Sequence, residues 1–197
     1  MIILASASPR RKEILEGLGV DFRIVVADVD ESSDERDPQK LTEELACRKG
    51  LAVWKKIVNE SIDGIDPDDC VIISSDTVVY CDGEIFGKPR DKADAERMIR
   101  TIAGGEHSVI SGVAITRGGV CKSVSCVTKV RVSELDEVEL ARYIESGEPM
   151  DKAGSYAIQG KFSLWIEGID GCYFNVVGLP VNALQKLYFE CTGKRLV

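Results

Sequence analysis

Apolar and polar positions along the chain alternate between a strand period and a helix period. The apolar run Ile2-Ile3-Leu4-Ala5 is followed by the polar turn Ser6-Ala7-Ser8, after which Ile14, Leu15 and Leu18 recur at helical spacing. Serine ahead of Pro9 makes a helix start. Phe22 to Val26 reads as a second strand, followed by the acidic loop Asp28–Glu35 and a long amphipathic helix from Pro38 to about Val58. Val71-Ile72-Ile73 is a buried strand ending at Ser74-Ser75-Asp76-Thr77, and Val78-Val79-Tyr80 continues as strand up to a hairpin turn at Asp82-Gly83. Asp91 to Ile102 predicts a helix stopped by Gly104-Gly105. His107–Thr116 and Val120–Val132 predict a long antiparallel hairpin closing near Gly118-Gly119. A helix over Asp136–Ile144 comes next, then a glycine-punctuated stretch from Gly147 to Gly178. Asn175–Pro180 reads as a strand turning sharply into a last helix that reaches about Glu190.

Strands joined by helices, mixed with one long hairpin, predict an α/β protein with a mixed, twisted sheet and flanking helices. The 197 residues suit a single domain, 1–197, with any lobe boundary a crease within it. A net charge of −8 argues against a broad nucleic-acid or anionic-membrane footprint, yet leaves room for a local basic cleft around a small polyanion. The seven cysteines are odd in number and contain no C-x-x-C pair, so reduced thiols in a cytoplasmic protein are expected, not a zinc site or disulfide framework. No signal peptide is apparent, and no apolar run approaches a membrane span.

Several residues could carry chemistry. Two arginines, Arg10 and Arg11, stand with Ser8 at a helix N-terminus, where exposed N–H groups can also hold an anion. Asp76 follows a very apolar run at a strand end, where it could hold a metal or activate water, or else cap a turn. One carboxylate of the acidic loop, Glu31, would complete with Asp76 the two-acid site that Mg²⁺ and phosphate oxygens prefer. Lys49 lies near the middle of the apolar arc formed by Leu41, Leu45, Ala46, Ala52, Val53 and Ile57, so it must be paired or line a cavity. Lys56, nearer the helix end, can snorkel outward. Lys88 and Arg90 form a second basic pair at a helix start, with Asp91 as its N-cap, and a bound anion would explain Lys88. Gln159 can read a nucleobase edge or stand exposed in a loop. His107 suits a structural hydrogen bond. Walker A and G-x-G-x-x-G patterns are absent.

Taken together, SASPRR (6–11), DVDES (28–32), RK (48–49), SSDTVV (74–79), GKPRD (87–91), HSVISGVAI (107–115), DKAGSYAIQG (151–160) and NVVGLP (175–180) resemble the Maf family of nucleoside triphosphate pyrophosphatases. The resemblance covers nearly the whole chain. It implies an inosine-triphosphatase-like fold of two lobes around a central cleft, and hydrolysis of a nucleoside triphosphate to monophosphate and pyrophosphate with a divalent cation, Mg²⁺ or Mn²⁺. It implies Asp76 as catalytic acid-base or metal-linked aspartate and Glu31 as its partner, with Ser8, Arg11, Lys49, Lys88 and Asp91 as further polar cleft positions. Arg10, Thr77 and Gln159 match the branch acting on dTTP and UTP, and on modified pyrimidine nucleotides of the same kind; the 7-methyl-GTP branch tends to carry tryptophan, glutamine and glutamate there. Gly50 departs from the usual alanine and Cys172 from a common serine. A homodimer is a family-level expectation. The alternative of another class is a non-catalytic regulator of septum formation, which would need neither a buried lysine nor paired carboxylates.

Overall fold

The computed structural model describes residues 1–197. Its strands are β1 (Ile2–Leu4), β2 (Arg23–Ile24), β3 (Val71–Cys81), β4 (Glu84–Phe86), β5 (Glu106–Arg117), β6 (Val120–Val132) and β7 (Ile166–Asp170). The helices are α1 (Pro9–Gly17), α2 (Pro38–Glu60), α3 (Lys92–Ile102), α4 (Glu137–Glu145), α5 (Tyr173–Val177) and α6 (Val181–Thr192). The strands make one mixed seven-stranded sheet in the order β2-β1-β3-β5-β6-β7, with β4 also paired to β3. β1 runs parallel to both β2 and β3, as α1 and α2 crossovers require, whereas β3–β4 and β6–β7 are antiparallel.

Contacts divide the chain into two compact units. The first comprises residues 1–76, 111–126 and 178–197; the second comprises 77–110 and 127–177. Each has its own core. Ile3, Val53, Ile57 and Ile72 are among the buried residues of the first, and Phe86, Ile99, Tyr143 and Phe162 of the second.

The long helix α2 is started by Asp37, whose carboxylate accepts from the Gln39 and Lys40 amides, and by Pro38 in the first turn. Leu45, Ala46, Val53 and Ile57 form its buried face, as their spacing predicts. An adjacent seam meets the β5–β6 hairpin. Gln39 and Glu43 hydrogen-bond Ser123 or Ser125 of β6, Cys47 is joined to Cys121, and Trp54 lies over Gly119. The seam corrects the expectation of free thiols throughout. Packing brings together two cysteines 74 residues apart, with their Cα atoms at 5.9 Å, a relation that local spacing cannot reveal.

Three further differences from the sequence reading have local causes. β2 is only two residues, because β1 offers it just Ile3 and Leu4 as partners and the pairing ends where the Val25 amide donates to the Leu4 carbonyl at 3.2 Å. Asn175 belongs to the short helix α5 and not to a strand, and its amide donates to the Val109 carbonyl and Thr128 hydroxyl. Within the glycine-punctuated stretch, β7 pairs with β6, although its sequence Ile-Glu-Gly-Ile-Asp carries little strand signal.

Candidate functional site

Asp76 does not stand at a strand end. It lies inside the eleven-residue strand β3, because neighbours satisfy each polar side chain of Ser74-Ser75-Asp76 where the sheet is buried. Ser74 Oγ donates to the Ala46 carbonyl at 2.7 Å, and Ser75 Oγ to the Gly178 carbonyl at 3.0 Å. Asp76, 7% exposed, receives the Lys49 ammonium at 2.5 Å. These bonds remove the cost of burying hydroxyl and carboxylate groups.

The same ammonium meets Glu31 Oε1 at 2.9 Å. Lys49 is thus the inward-facing cation that its place on the apolar arc implied, and its side chain is 19% exposed against 57% for Glu31. Lys56 instead reaches the Val26 carbonyl. Gly50, beside Lys49, faces β3 and β5: a Cβ there would lie 2.4 Å from Thr116 Oγ1 and 2.8 Å from Ser74 Oγ, which accounts for glycine in place of alanine.

At the first strand–helix turn, Ser8 occupies the N-cap of α1 but its side chain makes no capping bond, and Pro9 takes the first helical position. Half-buried Arg11 donates from Nε to the Gly178 carbonyl at 2.8 Å and from Nη1 to Ser6 Oγ at 3.3 Å. Gly178 has φ +118°, open to glycine, and its carbonyl serves both Arg11 and Ser75. Burial lowers the Arg11 guanidinium from its ordinary value; Asp76 and Glu31 pull it back up, and Arg10 adds to the lowering. NVVGLP therefore helps to seat an arginine, a role its sequence did not disclose. Ser6 and Gly178 were missed as acceptors for Arg11, and Ser75 as a second donor to the Gly178 carbonyl, because that carbonyl meets Arg11 and Ser75 only in the folded chain.

Ser8, Arg10, Arg11, Glu31, Lys49 and Asp76 belong to the first unit, and Thr77, Lys88, Asp91 and Gln159 to the second. In the second, GKPRD and DKAGSYAIQG are joined by a bond from the Gly154 amide to the Gly87 carbonyl at 3.0 Å. Gly154 also packs on Val79 of β3, where a Cβ would come within 2.5 Å. Lys88 and Gln159 are exposed, and Thr77 is half-buried. Arg90 does not extend the basic set: it bonds Asp94 at 3.0 Å and, with Arg97, holds that carboxyl down to about 2. Asp91 caps α3 through the Asp94 amide at 2.8 Å, anchoring the loop that presents Lys88.

Two carboxylate oxygens converging on one cation suit a hard divalent ion, which fills its remaining positions with waters and substrate phosphates. Glu31 and Asp76 supply hard oxygen donors of the kind such an ion takes, at a point where the Lys49 ammonium meets both.

The fold is shared with the Ham1 protein of Staphylococcus aureus, at a TM-score of 0.54 over 98% of this chain and 99% of that one; at 13% identity the likeness is one of fold. The class is a Ham1-like mixed α/β fold carrying a lysine-bridged pair of acids. Residues 1–190 match the family described as Maf-like protein, and the chain belongs to the Maf family. Relatives named dTTP/UTP pyrophosphatase include one from Clostridium botulinum strain Okra, 43% identical over 194 residues and 96% of both chains. Another, from Caldanaerobacter subterraneus, is 45% identical over 188 residues, 94% of this chain and 86% of its own. No helix of the chain is long and apolar enough to cross a membrane.

Proposed function

We propose that this chain is a cytoplasmic nucleotide pyrophosphatase that hydrolyses dTTP and UTP to the monophosphate and pyrophosphate. The observation that carries the chemistry is the buried Asp76 held with Glu31 on the Lys49 ammonium. Curated relatives at 43–45% identity over nearly the whole chain support the substrate.

Water attacks the α-phosphorus in line, forming one P–O bond as the bond to the bridging oxygen breaks, and pyrophosphate leaves. Asp76 either orients that water and takes its proton or joins Glu31 in holding the cation. Arg11, with Ser8 and the N–H groups opening α1, binds phosphate oxygens where negative charge develops. Lys88 binds the leaving pyrophosphate, and Asp91 positions it by capping α3. Glu31 and Asp76 would hold Mg²⁺ or Mn²⁺, which when bound neutralises charge on the phosphate oxygens. Arg10, Thr77 and Gln159 select the pyrimidine base through groups that must pair with its edge.

A panel of nucleoside triphosphates, including 7-methyl-GTP, with Mg²⁺ or Mn²⁺ and pyrophosphate release as readout tests the assignment. dTTP and UTP should lead, and Asp76→Asn should lower turnover by about 10²- to 10⁴-fold with little change in KM. Near-native turnover in that variant, or a preference for 7-methyl-GTP, would overturn it.

A further inference from the structure

Glu31 sits on a loop with no regular structure between β2 and α2, and its side chain is more than half exposed. A carboxylate in such a place is ordered only if its backbone is held. The hold comes from the residue beside Lys49. Arg48 Nη1 donates to the carbonyls of Asp30 at 3.1 Å and Ser32 at 2.6 Å, the two residues that flank Glu31. Its Nη2 pairs with Glu44, one turn back on α2. Glu44 in turn accepts from Ser33 Oγ at 3.2 Å. Within the loop, Asp30 Oδ1 accepts the Ser32 amide at 2.9 Å, which tightens the turn under the same guanidinium.

We infer that Arg48, oriented by Glu44, is a positioning residue that presents Glu31 to Lys49 and Asp76. The inference rests on the role given above to Glu31. Consecutive residues of α2 divide the work: Arg48 clamps the backbone on both sides of Glu31, and Lys49 receives its carboxylate. Only a planar guanidinium offers several donors in a fixed fork. A lysine has one nitrogen where the carbonyls and the carboxylate here are served by two, Nη1 and Nη2.

Arg48 is partly exposed, so its truncation leaves the core intact. In Arg48→Met, kcat for dTTP should fall about ten- to hundredfold with KM changed much less, because the Glu31 carboxylate is misplaced and Arg48 itself makes no substrate contact. Arg48→Lys should fall between Arg48→Met and wild type. Placed in a Glu31→Gln background, Arg48→Met should cost little more, since both changes act on one carboxylate. Hydrogen exchange at the amides of residues 30–33 should accelerate in Arg48→Met while that of α2 stays slow. Multiplicative losses in the double variant, or loop exchange unchanged from wild type, would overturn the inference. Wild-type inactivity on every nucleotide would instead sink the proposed function, and the exchange comparison would still judge the clamp.

Discussion

The ring of His107, the chain's one histidine, is 3% exposed, with Nε2 2.6 Å from the Tyr156 hydroxyl. Burial pulls its pKa down to about 4, against the small upward pull of Glu106, and burial also raises the Tyr156 phenol. The ring is therefore neutral and structural in the folded protein. Between pH 6.5 and about 4 the unfolded chain takes up a proton that the folded chain refuses. The stability this histidine contributes is complete above pH 6.5 and lost as pH falls, by about 3 kcal/mol at the limit. Urea midpoints measured from pH 7.5 to 4.5 should drop more steeply for wild type than for His107→Gln. Parallel curves would mean that the ring protonates in place. The sequence suited this histidine to a structural hydrogen bond; the partner it bonds lies 49 residues away.

At the scale of elements, α2 does most to build the site, and its fit against β5 is close. A Cβ at Gly112 would lie 2.3 Å from the Thr42 carbonyl oxygen and 2.7 Å from the Glu43 amide, both backbone atoms that cannot rotate away. Gly112→Ala should therefore destabilise the protein by about 1–3 kcal/mol or more, read as a lowered denaturant midpoint with an unchanged slope. A midpoint within error of wild type would show that α2 can move off β5 freely. The helix itself was legible: a proline start and an apolar arc with Lys49 inside it define both its span and its unusual cation. β3 was harder. Three successive polar residues look like the end of a strand, and only the bonds from Ser74, Ser75 and Asp76 to Ala46, Gly178 and Lys49 explain why it continues. α5 and β7 were misread or missed because each is five residues long and takes its form from its neighbours.

Across the whole molecule, the Cys47–Cys121 bond closes a loop of 74 residues, a length at which the chain-entropy estimate is about 4 kcal/mol. Reducing agent should lower the unfolding temperature of wild type to that of Cys47→Ser, a variant that should itself be insensitive to reductant. Equal wild-type midpoints with and without reductant would remove the bond from the stability of the fold. By itself, the sequence determined the α/β class, the long hairpin, the helix starts and the motifs that place the chain in the Maf family. Those features depend on local periodicity, turn chemistry and ordered short patterns, all of which one strand of text carries. Tertiary structure alone decided that Lys49 bridges Asp76 and Glu31, that Arg90 is taken by Asp94, and that Arg48 grips both sides of Glu31. Each depends on side chains from separate elements meeting within hydrogen-bond distance, and spacing along the chain does not encode such distances.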